Sequence, residues 1–237
     1  GMRGQMTSEL DYYAGVFLSE NTDDILFVAA GAAGSSQGYF TNFGKTQRQG
    51  FELGVSDRDS DGFDWSFDYS FVDATFESTA CIVSEVNSTA GVGCNGTKQI
   101  LVKPGNKIPG IPEHQIRLAF DYSPLSSLDL RATIFSYSDQ YAHGNENNLH
   151  NVDGKVEGYQ LLNLRGQYRF GASWSLIFKV NNVLDEKYSS GGMLAENAFN
   201  SSGGFITDED DWGNETFYAP GAPRAAWLGI KYLVERD

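Results

Sequence analysis

At 237 residues and a net charge of -14, the chain has too little Lys and Arg to neutralise phosphates, which excludes nucleic acid as a partner. No apolar run reaches roughly 18 residues, so no helix spans a bilayer. The mean hydropathy of -0.35 still suits a barrel whose strands alternate outward and inward residues. Twelve Tyr, sixteen Phe and twenty-seven Gly are the residues of pleated surfaces and turns.

In chain order, Gly1 ahead of Met2 reads as the remnant of a cleaved tag, residues 1–9 as a leader, and residues 10–237 as one β segment without a dividing linker. Strands are predicted at 10–28 and 38–57, on either side of a stretch at 30–37 whose Gly31-Ala32-Ala33-Gly34 reads as a loop tip. A polar turn at Asp57 to Gly62 leads to 63–77, where Trp65, Phe67, Tyr69 and Phe71 alternate with Asp64, Ser66, Asp68 and Ser70. After a long polar stretch at 78–112 the dyad returns at 113–123, turns at Ser123 to Ser127, and continues at 127–139. A further long stretch at 139–157 precedes strands at 157–170 and 173–188, joined at Gly171-Ala172. A last long stretch at 189–217 precedes a strand at 218–234. Eight strands with no helical spacing make the class all-β. Short turns alternating with long loops predict an antiparallel up-and-down transmembrane barrel, with turns periplasmic and loops extracellular.

Few residues invite chemistry. Cys81 and Cys94, 13 positions apart in a Ser/Thr/Gly-rich stretch, read as a disulfide in an oxidising compartment, with two free thiols as the alternative. Asp57 to Gly62 copies the opening of a calcium-binding EF-hand loop, but the twelfth position is Asp68 within a strong strand and no helices flank it, so a polar hairpin turn is the better reading. His143, Glu146 and His150 share one loop and are candidate ligand contacts, although their spacing is no metal signature and solvated loop residues are the better reading. Neither a nucleophile elbow nor a Cys/His pair stands out, so no catalytic residue, metal or cofactor is expected. Aromatics such as Tyr12, Tyr13, Phe17, Phe43, Trp65, Tyr137, Tyr141, Tyr168, Phe170, Trp174, Tyr188 and Tyr218 fall near strand ends, as interfacial girdles do.

At Asn181-Asn182-Val183-Leu184-Asp185-Glu186-Lys187-Tyr188 the sequence closely resembles the penultimate-strand signature of TonB-dependent receptors. Asn42 to Thr46, Asp64 to Phe76, Ile108 to His114, Gly158 to Leu164 and Ala222-Pro223-Arg224 resemble further segments of that family in the expected order. The resemblance spans about 10–234 and marks Asn181, Asn182, Leu184, Asp185, Tyr188, Pro223 and Arg224 as signature residues. It implies the last third of a barrel of about 22 strands, without its plug domain, in the bacterial outer membrane. The parent would take up a bulky nutrient, such as a siderophore, a cobalamin-like compound or a glycan. Its partners would be outer-membrane lipid, the plug and the TonB-type energy complex. The family's usual terminal aromatic is replaced here by Leu233-Val234-Glu235-Arg236-Asp237 after Tyr232.

Two rivals stand beside this reading: a complete, structural or adhesive eight-stranded barrel, and a soluble lipocalin-like binder. Pairing of the first and last strands would favour the former. A fragment of a larger barrel has edges that must close into a small barrel or pair with another copy.

Overall fold

The computed structural model describes residues 1–29, 38–58, 62–151 and 153–234. One nine-stranded antiparallel sheet forms a wall. Its strands, in order across the wall, are β1 (Met2–Gln5), β2 (Leu10–Ala29), β3 (Gly38–Arg58), β4 (Phe63–Phe76), β7 (His114–Leu125), β8 (Leu128–Tyr137), β11 (Tyr159–Phe170), β12 (Trp174–Asn181) and β15 (Ala225–Tyr232). All eight expected strands are present. The ninth, β1, comes from residues 1–9 and pairs Met2 with Ala14 and Gln5 with Asp11. Among the described residues β1 pairs only with β2 and β15 only with β12, so the sheet is open, and of the two alternatives, closure and pairing with another copy, the first is not seen here.

Opposed residues of an antiparallel pair share a face, and the register carries one face unbroken through the wall. Val55 faces Phe67, which faces Leu118, then Ile134, then Leu162. Two residues further along β11, Leu164 opposes Ala132 and Val180, and Val180 opposes Ala226. On the other face Asp64 opposes Asp121, then Arg131, Arg165, Lys179 and Trp227 in turn. Ion pairs tie neighbouring strands on that side. Arg117 donates to Asp68 at 2.9 Å, and Arg131 grips both oxygens of Asp121 at 2.5 and 2.7 Å. The apolar face remains uncovered: Val16 is 81% exposed and Leu228 74%.

The long connections carry structure of their own. They hold β5 (Ala80–Val83) with β6 (Gln99–Val102), β9 (Gln140–Tyr141) with β10 (Lys155–Val156), and β13 (Ser189–Asn197) with β14 (Gly213–Pro220). A single 3-10 turn at Glu209–Asp211 is the one helical element among the described residues. The chief apolar core lies at this end and not in the wall. Phe43, Ala74 and Phe76 from β3 and β4 meet Ile82, Ile100, Val102 and Ile108 from the 77–112 connection. Phe43, expected in a girdle, is buried here against Phe76 at 4.7 Å between ring centroids.

Candidate functional site

The signature stretch breaks the strand it was expected to extend. β12 ends at Asn181, and Asn182 and Asp185 adopt left-handed φ of 50° and 57°, a conformation that Asn and Asp tolerate better than most residues. Asn182, 3% exposed, binds three segments at once. Its backbone N–H donates to Asn163 Oδ1 of β11 at 2.8 Å. Its amide donates to the carbonyls of Glu186 at 2.9 Å and Ala222 at 3.1 Å, and its Oδ1 accepts from Glu186 N–H at 2.9 Å. Asp185 Oδ1 accepts the backbone N–H of Arg224 at 3.1 Å, and the Arg224 guanidinium lies 3.6 Å from Asp185 Oδ2. Leu184 is exposed. Thus the strands expected at 173–188 and 218–234 are interrupted: the first ends at Asn181, with β13 starting only at Ser189, and the second takes in the end of β14 and all of β15, because carbonyls at the break are bonded by side chains instead of a ladder.

Beyond the break, the three long connections bind one another through amides and backbone. Ser84 Oγ and Asn87 Nδ2 both donate to the Gly144 carbonyl, at 2.7 and 2.8 Å. Asn147 Nδ2 donates to Thr89 Oγ1 at 2.7 Å, and Asn148 Oδ1 and Nδ2 bond both backbone groups of Lys107. Gly144, at φ +92°, leaves no room for a Cβ, which would sit 2.9 Å from Leu194. On the other side His143 exchanges backbone bonds with Gly192 and Leu194, and Thr216 Oγ1 donates to Asp153 O at 2.7 Å. Cys81 and Cys94 form a disulfide with Cα atoms 5.9 Å apart, closing the first of these loops.

Between the 139–157 loop and the start of β13 lies a cleft of about 700 Å³. Tyrosines form its walls. Tyr137, Tyr159 and Tyr188 run ring to ring at 5.0 and 4.4 Å. Of these, Tyr159 and Tyr188 reach the cleft, with Tyr141 and Tyr218. Tyr188 packs flat over Gly221, where any Cβ would meet the ring at 2.2 Å. Tyr218 directs its hydroxyl to the carbonyls of Asp153 and Lys155, each at 3.3 Å, and Lys155 Nζ sits 4.7 Å above the Tyr141 ring. The cleft is open and mostly polar, with aromatic walls, which makes it a candidate ligand surface.

The three loop residues flagged in the sequence do not converge. His150 lines the cleft, and its Nδ1 accepts the Ser88 N–H at 3.0 Å. Glu146 is 8% exposed and accepts the Gly144 N–H at 3.0 Å; burial raises its pKa. Desolvation lowers that of His143. Glu146 is the buried member of the three and His150 is half-buried, while the His143 side chain is exposed. No group of three metal-ligating side chains occurs among the described residues. Of the calcium-like segment, Asp57 sits in β3 and Asp68 in β4, while 59–61 lie outside the described residues, as do 30–37 and 235–237. The expected girdle divides by face. Tyr168, Phe170, Trp174 and Tyr232 make a row on the apolar face at the short-turn end. Tyr13 instead occupies the polar face, its hydroxyl bonded to Asp68 at 3.1 Å. Sequence reasoning passed over Tyr159, Glu157 and Glu186 at the cleft, although strand parity, which sets Tyr159 with Asn163 and Arg165, was available to find the first.

Two-faced antiparallel strands, short turns at one end and elaborated loops at the other define an outer-membrane β-barrel wall. Over residues 1–183 the chain matches the family model described as TonB dependent receptor-like, beta-barrel, and it belongs to that family. These are outer-membrane proteins of Gram-negative bacteria, and they are transporters, not enzymes. Among solved structures, the siderophore receptor PiuA from Acinetobacter baumannii is 17% identical, with a TM-score of 0.63 over 94% of this chain and 26% of that receptor. The ferric yersiniabactin uptake receptor FyuA from Yersinia pestis is 16% identical, with a TM-score of 0.60 over 96% of this chain and 28% of its own. The ferric-catecholate import receptor Fiu from E. coli K12 is 18% identical, with a TM-score of 0.58 over 96% and 26%. At such identity the likeness is one of fold, and the chain spans about a quarter of the length of these receptors.

Proposed function

We propose that this chain supplies wall and surface loops to an energy-coupled outer-membrane receptor that takes up a bulky nutrient of the metal-chelate class, and that the tyrosine cleft is part of its capture surface. The continuous apolar face carries this reading. It is a strip for lipid, with the Tyr168, Phe170, Trp174 and Tyr232 row at the periplasmic boundary, while the charged face turns to a lumen occupied by a plug. The names of the neighbours as siderophore, ferric-catecholate and ferric yersiniabactin receptors support the ligand class. In the whole receptor the free edges of β1, β2 and β15 pair with neighbouring strands; in isolation they pair with a second copy, since unpaired N–H and C=O groups are costly in lipid. By itself this wall-and-loop segment does not transport. Reconstituting it in liposomes tests this: no chelate uptake is expected above protein-free vesicles, and uptake by the chain alone would refute the division of labour. The free edges weigh against the complete small barrel.

A further inference from the structure

The cleft's charge goes further than its shape. Its lining includes Asp153, Glu157 and Glu186 as acids, and Lys155 and Lys187 as bases. Lys155 is already committed, bonded to Asp139 Oδ2 at 2.7 Å while lying over Tyr141. His150 is held as a neutral acceptor by the Ser88 N–H. Lys187 therefore stands as the one uncommitted cation of the lining against three carboxylates. No described hydrogen bond or ion pair engages the carboxylate oxygens of Asp153, Glu157 or Glu186, so those acceptors are open to a ligand. An excess of one sign among a cleft's unpaired charges favours ligands of the opposite sign and disfavours its own, and repulsion contributes to specificity alongside attraction.

Resting on the reading of the cleft as a capture surface, we propose that it selects cationic or uncharged ligands, which bring amine, hydroxyl or amide donors to Glu157, Glu186 and Asp153 and apolar surface to Tyr159 and Tyr188, and that it rejects polyanionic ferric chelates.

The test compares two ferric complexes of similar size and opposite charge on the full-length receptor containing this chain, in detergent, by isothermal titration calorimetry. One is the cationic complex of a linear trihydroxamate and the other the trianionic complex of a tricatecholate. The cationic complex is expected to bind at least about tenfold tighter at low ionic strength, a gap that narrows as salt screens the cleft. The double variant E157Q/E186Q should bring the two affinities to within about threefold of each other, with Leu184→Ala as an unaffected control and retained heat-modifiable mobility as the check on folding. Tighter binding of the tricatecholate overturns the proposed charge class and leaves the cleft in place as a capture surface. A preference unchanged in E157Q/E186Q also overturns it, because selectivity then arises elsewhere. If the folded receptor binds neither complex, the proposal falls together with the capture reading on which it rests.

Discussion

The wall and the loop end are held together by different means. In the wall, each strand is fixed by its neighbours through a ladder and by a period-2 division of oil from charge, seen in the rung from Val55 to Leu162 and the opposite rung from Asp64 to Trp227. At the loop end, side-chain amides and backbone bonds join the connections that carry three small sheets, a disulfide closes the first of these connections, and one compact core packs it against β3 and β4. A wall of this kind tolerates exchange among apolar residues, whereas a cap of this kind depends on particular atoms. The first is written locally in the chain; the second joins residues some 60 positions apart, such as Ser84 with Gly144.

That comparison breaks most visibly on the wall. Phe178 lies on the apolar face, opposite Gly166 and Leu228, and its neighbour Ile177 on the polar face. Phe178→Lys is expected to cost about 2–4 kcal/mol, as charges on the lipid side of barrels near mid-membrane do, and Ile177→Lys roughly nothing. Denaturant titration of the full-length receptor in lipid vesicles measures both. Equal costs would mean that the sheet does not divide lipid from water.

Asn182 is where the two regimes meet. Asn182→Ala removes the bonds to Glu186 and Ala222 and places a residue less suited to φ 50° at the break. The expected loss is about 2–4 kcal/mol, from stranded buried partners and backbone strain. Leu184→Ala, at an exposed position two residues on, should stay within about 0.5 kcal/mol. If the two lose alike, the signature acts through its bulk and not through its amide.

Removing the disulfide separates the regions. The closed loop is short, so Cys81→Ser with Cys94→Ser should destabilise the cap by about 3 kcal/mol. Amide exchange at Ile82 and Ile100 should rise while that of the β7 and β8 amides stays unchanged. Loss of protection in the wall as well would show that the cap is part of the wall's own folding unit.

These differences also mark how far the sequence could be read. Alternation from Trp65 to Phe71 and from Leu162 to Phe170 located the strands nearly to the residue, because a one-residue slip would put Asp68 or Arg165 on the apolar side. It failed at Asn181 to Tyr188, where an apparently continuous pattern conceals two left-handed residues bonded by side chains. It could not foresee that Glu146 is buried or that Asn87 and Asn147 form a clasp, since no periodicity records a bond between distant loops. The cleft was half legible. Its tyrosines stood out as aromatics, but their face depends on register, and the carboxylates opposite them come from separate connections.

The smallest expected effect distinguishes the clasp's titrating groups. Burial lowers the pKa of His150, against a weaker upward pull from Asp153, and desolvation lowers that of His143. A histidine depressed on folding contributes stability that is whole above its ordinary value of about 6.5 and is lost as pH falls through the folded value. Glu146 has the opposite sign: its raised pKa contributes stability below its ordinary value and loses it as pH rises through the folded one. Acidification from neutral pH therefore loosens the histidine contacts while favouring Glu146, and a global melting curve would blur the two. The Ser88 amide isolates one of them, because it donates to His150 Nδ1, which cannot accept once protonated. Its protection factor should fall by a few-fold below pH 6.5. His150→Asn, which offers an acceptor oxygen near the same place without a titrating proton, should remove that pH dependence. Protection that stays level through this range in the unaltered chain would show that backbone packing around Ser88, and not the imidazole, holds the two loops together.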